Sequence, residues 1–147
     1  MGDRANLRLR YSGDNHLVLY THWGGSELHL MAQQAVKRLI ESGRIGDETY
    51  AARNVICELI PADEYDKYTG WGVGFDFAPD AAHPLIEINL VDGRVQIYSL
   101  NPLYDWKNED GEVFESTPCC SFSAQEYVAL DYDPRWQTSS EEEAAEA

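Results

Sequence analysis

The sequence predicts an α+β fold: one domain with a mainly antiparallel sheet, two helices packed on one face and a short C-terminal helix. Three observations carry that expectation. Residues 5–11 alternate strictly, with Leu7, Leu9 and Tyr11 on one side and Arg8 and Arg10 on the other, the period of a half-buried strand. Leu28, Met31, Ala32, Ala35, Val36 and Leu39 recur at three- and four-residue spacing, which defines one buried helix face. Residues 85–91 and 94–98 are strand-like runs around Asp92-Gly93, a dipeptide suited to the type I′ turn that matches strand twist.

The other elements follow in order. Ser12-Gly13-Asp14-Asn15 supplies a turn, so the first strand should pair antiparallel with a second that runs from Leu17 through Thr21-His22-Trp23. That second strand is apolar on both faces, which suits a central position. Gly24-Gly25 breaks it, and a helix over 26–42 opens behind Ser26 as cap and stops at Gly43, the residue best suited to a left-handed C-terminal position. Asp47 then caps a second helix, with Ala51, Val55 and Leu59 in one row, Ala52, Ile56 and Ile60 in the next, and Pro61 closing it.

A polar loop over 62–69 leads to residues 71–77, where large apolar residues alternate with glycine or aspartate. The thin face of that strand suits close approach by backbone or ligand. The hairpin over 85–98 is expected to close the sheet. Periodicity then disappears over 99–120, which implies either a functional loop or a hairpin around Asp110-Gly111. Ser123 and Glu126 form a capping box, and Phe122 with Tyr127 a hydrophobic staple, for a last helix ending near Leu130. Residues 1–136 read as the single domain and 137–147 as an acidic disordered tail.

Charge narrows the function. Acidic residues outnumber basic ones 26 to 11, for a formal charge of −15, and such a field repels phosphate backbones and anionic lipid. Direct nucleic-acid and membrane binding are not expected. The imbalance is concentrated in residues 104–147, which carry twelve acidic and two basic groups. Three cysteines, Cys57, Cys119 and Cys120, make an odd set with two adjacent, unlike a secreted disulfide framework. With neither a signal-peptide pattern nor a membrane-length apolar run, the expected location is the cytoplasm.

The segment from Thr21 to Ser26 ends a strand and begins a helix, a place where unpaired backbone N–H groups can hold an anion and where His22 can act as acid or base. His22, Thr21 and Ser26 are therefore the candidate catalytic residues if the protein is an enzyme or ligand-binding domain. The same Gly-Gly pair is also the simplest way to turn a strand into a helix. Pro79-Asp80 followed by Glu87-Ile88-Asn89 only faintly matches restriction-type nuclease carboxylates, with Asn89 where a lysine belongs. Asp76, Asp80 and His83 lack a spacing diagnostic of any metal. Cys119-Cys120 lacks the Cys-x-x-Cys arrangement of a zinc site, so the thiols read as buried or incidental. Arg4, Arg8 and Arg10 read as the solvated face of the first strand. No common catalytic or cofactor fingerprint occurs, so no enzyme class is indicated and no metal or cofactor is expected.

Gly2-Asp3-Arg4-Ala5-Asn6, the stretch Leu19-Tyr20-Thr21-His22-Trp23-Gly24-Gly25, residues 50–53 and Gly72-Val73-Gly74 together resemble a family of small uncharacterised proteins of bacteria, notably actinobacteria, and their phages. The resemblance covers residues 2–98. It implies a phage-associated or accessory role, with the host cytoplasm as location if the chain is phage-encoded, and it brings no activity or catalytic residue.

The remaining signal is a surface. Acidic and aromatic residues interleave at Tyr104, Asp105, Trp106, Glu109, Asp110 and Glu112, and again at Asp131, Tyr132 and Asp133. Carboxylates attract a basic partner, and aromatic side chains anchor contacts. The functional expectation is a non-catalytic interaction protein that binds a basic protein, such as a nucleic-acid mimic directed at a host defence enzyme.

Overall fold

The computed structural model describes residues 3–60, 70–76, 81–98 and 118–136. The alternation at the N-terminus forms β1 (Ala5–Arg10), which pairs antiparallel with β2 (His16–Thr21) in the register Leu7 to Leu19. A 3₁₀ turn over Gly25–Glu27 leads into α1 (Leu28–Ser42), and α2 (Glu48–Leu59) follows. Then come β3 (Trp71–Gly74), β4 (Leu85–Asn89), β5 (Val95–Tyr98), β6 (Cys120–Phe122) and the short α3 (Ala124–Val128). The sheet order is β3-β2-β1-β4-β5-β6, antiparallel except for β1 beside β4. This is the expected α+β architecture.

Period-two alternation sorts the sheet into two faces. Leu19, Leu7, Ile86 and Ile97 form a row across four strands and join one core with Leu28, Ala32, Val36 and Leu39 of α1 and Ala51, Val55 and Leu59 of α2. The adjacent row carries Val18, Arg8, Glu87 and Gln96. Arg8 therefore is not on a solvated face: it is buried, paired with Glu87, and its guanidinium lies 5.2 Å from the Tyr98 ring centre. Arg10 reaches the same carboxylate at 3.0 Å. The parallel register sets Arg8 directly opposite Glu87, so the nuclease-like carboxylate is matched by two arginines. Removing one partner of a buried pair is far costlier than the pair is stabilising.

Several local expectations change. The β4–β5 pair does not close the sheet, because β3 and β6 are the edges. Its connection is also longer than a two-residue I′ turn: Asn89 N–H donates to Arg94 O, Gly93 N–H donates to Asn89 O, and only Gly93 has positive φ. The reason is Leu90, which is fully buried and donates its N–H to Arg10 O, so the chain dips into the core before it turns. At the thin strand, Gly74 has no neighbour within 4 Å of a notional Cβ and Gly72 only an ordinary contact with Tyr20, so no described group approaches closely there. Gly43 ends α1 in the left-handed region, at φ 69°. The capping box of Ser123 and Glu126 forms, and the Phe122 and Tyr127 ring centres lie 6.2 Å apart. Pro61, Asp80, the Asp110-Gly111 site and the tail 137–147 fall outside the described residues.

Candidate functional site

The strand-to-helix corner at residues 21–26 is held by residues distant in sequence. Asp3 N–H donates to His22 O at 2.7 Å, and Gly25 N–H donates to Asp3 O at 2.8 Å. Ser26 N–H donates to the Asp3 carboxylate at 2.7 Å, so the turn is capped by Asp3 and not by Ser26 itself. Gly24 N–H donates to the buried Thr21 hydroxyl at 2.9 Å. The backbone donors expected to hold an anion thus already have acceptors, and the anion among them is Asp3. Asp47 also caps by position alone, since no side-chain cap bond forms and its carboxylate accepts from Arg44 at 2.8 Å.

His22, Thr21 and Ser26 each have a different partner. His22 Nδ1 meets the Tyr20 hydroxyl at 2.9 Å and Arg4 Nε at 3.3 Å, while Thr21 serves Gly24. On the other side of Asp3, His83 Nε2 lies 2.5 Å from the second carboxylate oxygen. Burial pushes the Asp3 carboxyl up, but hydrogen bonds from His83 and Ser26 outweigh it and hold its pKa down at about 2. A Cβ at Gly25 would stand 2.5 Å from Asp3 O and 2.6 Å from the His83 ring, so only glycine fits. The two motifs Gly2-Asp3-Arg4-Ala5-Asn6 and Leu19-Tyr20-Thr21-His22-Trp23-Gly24-Gly25 therefore touch one another, through residues 3, 4, 22 and 25.

The C-terminal segment locks the same corner. Arg135, with its side chain fully buried, donates to Gly25 O at 2.8 Å and Ser26 O at 3.4 Å. It also grips Asp133 through Nε at 3.0 Å and Nη2 at 2.8 Å. Burial raises the Asp133 carboxyl, but the hydrogen bonds and charge of Arg135 prevail and the net shift is downward. One of the two basic residues of the acidic third, Arg135, is thus used internally.

One helical turn further on, the corner is open. His29 and Gln33, four residues apart on α1, hold α3 and the chain just after it at a fixed distance. His29 Nδ1 lies 2.9 Å from the Tyr127 hydroxyl, and Gln33 Nε2 donates to Tyr127 O at 3.0 Å and Leu130 O at 2.9 Å. Burial pushes the His29 pKa down; Asp133 opposes this and Arg135 adds to it, and the net shift favours the neutral ring. Between α1 and this segment lies a cavity of about 300 Å³, lined by Ser26, His29, Leu30, Gln33 and residues 130–133. Leu30 is 62% exposed on its wall. Asp131 is exposed and makes no salt bridge among the described residues.

The expected surface residues thus divide. Asp131, Tyr132 and Asp133 line this groove beside Ser26, while Tyr104, Asp105, Trp106, Glu109, Asp110 and Glu112 lie outside the described residues. No group of three or more potential metal ligands occurs among the described residues. No helix among them is long and apolar enough to cross a membrane.

Sequence reasoning missed His29, Gln33 and Arg135, and it missed the pairing of Asp3 with His83 at the corner although both residues had been noted. The legible signal was small: two polar residues four apart beside an apolar helix stripe, and a lone arginine among carboxylates. Fold and groove define an α+β domain with an acidic, half-apolar cleft against its first helix. No protein-family model matches the chain, and no curated protein or solved structure matches it either.

Proposed function

We propose that the protein is a non-catalytic interaction protein that binds a basic protein partner on its acidic C-terminal third, with the groove between α1 and residues 130–133 receiving one lysine or arginine side chain. The observation that supports this most is the pairing of chemistries in one 300 Å³ cleft. Leu30 and Leu130 offer apolar walls, Tyr132 an aromatic one and Asp131 an exposed carboxylate. A basic side chain has the matching form, an apolar stem ending in a cation. In the sequence, acidic residues at 105, 109, 110 and 112 belong to the same acidic third, and their spacing along an acidic, aromatic stretch supports imitation of nucleic acid. The family resemblance adds a phage-associated role, with a host nucleic-acid enzyme as the partner.

Capture from host lysate with the full chain tests the reading. A basic protein should be retained at low salt, released at molar salt, and lost when Glu109, Asp110 and Glu112 are reversed to lysine. Retention that ignores salt would overturn it. A second reading, a small-ligand site, draws on Ser26 lying in the same cleft. It requires a thermal shift with a neutral or anionic metabolite that Asp131→Lys does not abolish.

A further inference from the structure

Cys119 and Cys120 are neither buried together nor separated as strand neighbours would be. Successive side chains of a strand point to opposite faces. Here Cys119 precedes β6 at a bend, and the two Sγ atoms lie 4.0 Å apart with no disulfide between them. The sheet fixes this arrangement. Cys119 N–H donates to Ile97 O at 2.8 Å and its thiol reaches the same carbonyl at 3.3 Å, while Cys120 stands opposite Ile97 in the β5–β6 register. Cys119 is exposed, and Cys120 packs partly against the core. Of the expected buried or incidental thiols, Cys119 is therefore not a buried one.

We propose that Cys119 and Cys120 form a vicinal dithiol site for one thiophilic ion or metalloid of low coordination number, the class of monovalent copper and trivalent arsenic. Thiolates are soft ligands that select such centres. With metal–sulfur bonds of about 2.3 Å, sulfur atoms 4.0 Å apart subtend an angle of about 120° at the centre. That angle suits two arms of a trigonal-planar site such as monovalent copper, while pyramidal arsenic, with its lone pair, draws the two sulfurs somewhat closer. Structural zinc takes four ligands, and the described residues offer no cluster of three or more. A disulfide is the poorer use of the pair, because adjacent Cα atoms are about 3.8 Å apart and disulfides take about 4.4–6.8 Å.

Phenylarsine oxide is the probe. Its As=O oxygen leaves as water with the two thiol protons, and two As–S bonds form without any change of oxidation state. The reduced full-length chain should gain one phenylarsenic group by intact mass. The adduct should survive excess 2-mercaptoethanol and be reversed by 2,3-dimercaptopropanol. Cys57→Ser should retain it, and Cys119→Ser and Cys120→Ser should each lose it. Should a serine variant fail to fold by circular dichroism, loss of iodoacetamide labelling at both Cys119 and Cys120 in the arsenical-treated wild type decides the matter. An adduct stripped by the monothiol, or one equally stable in Cys119→Ser, would overturn the proposal.

Discussion

Two sides of the same strand-to-helix corner behave differently. Around Gly25 the backbone donors of residues 24–27 all have acceptors, the Gly25 and Ser26 carbonyls face a buried arginine, and a methyl group has no room. One helical turn away, Leu30 and Asp131 stand open across a cleft. The conspicuous motif, His-Trp-Gly-Gly, is on the closed side, where its residues hold the chain. The open side is built from residues that no motif marks. Prominence in the sequence here reports what the fold requires, and the open cleft proposed as the binding site lies beside it.

If the closed side is structural, substitutions there should cost stability and those on the open side should not. Gly25→Ala should have the largest effect. Its Cβ meets a backbone oxygen at 2.5 Å, so the corner must shift, and a loss of about 4 kcal/mol is expected. Chemical denaturation would measure it, and a melting temperature within about 2 °C of wild type would show that the corner yields easily. Arg135→Met comes next, at about 3 kcal/mol, because it strips the partner from Asp133 and from two carbonyls.

Acid sharpens the same contrast. Asp3 has a folded pKa of about 2 against an ordinary 3.8, so its contribution is present above about pH 4 and lost as pH falls through 2. His29 is depressed from 6.5, so its neutral burial contributes fully above that pH and progressively less below it. Thermal melts from pH 8 to 3 should show an early decline that His29→Gln removes and a late one that Asp3→Asn removes. The smallest stability effects belong to the groove. Asp131→Asn and Leu30→Ser should stay within about 0.5 kcal/mol of wild type, while each weakens binding of a basic probe about fivefold, or ~1 kcal/mol.

The regular elements were legible because their signals are local. Leu7 and Leu9 announce a strand, the stripe from Leu28 to Leu39 a helix, and Ser123 with Glu126 a helix start. What escaped depends on distance in the chain. Nothing near Arg8 says that β4 lies parallel beside it, so Arg8 read as solvated when its true neighbour is Glu87. Ser26 looked like a cap because Asp3 is 23 residues away. The three-residue β6 is too short to show a period, and the dithiol geometry comes from the bend before it. Of the proposed surface, Asp131, Tyr132 and Asp133 were marked by composition, but the cleft required His29 and Gln33 to hold them off α1.

The most direct test of the central claim is a titration of the isotopically labelled full chain with a short arginine-containing peptide, followed by amide chemical shifts at low salt and at 0.5 M salt. A citrulline peptide of the same shape serves as the uncharged control. The account predicts shifts at Leu30, Gln33 and residues 131–133 that require arginine, fade at high salt and vanish in Asp131→Lys. Shifts that appear equally with citrulline, persist at high salt, or fall at His22 and Gly25 instead would contradict it.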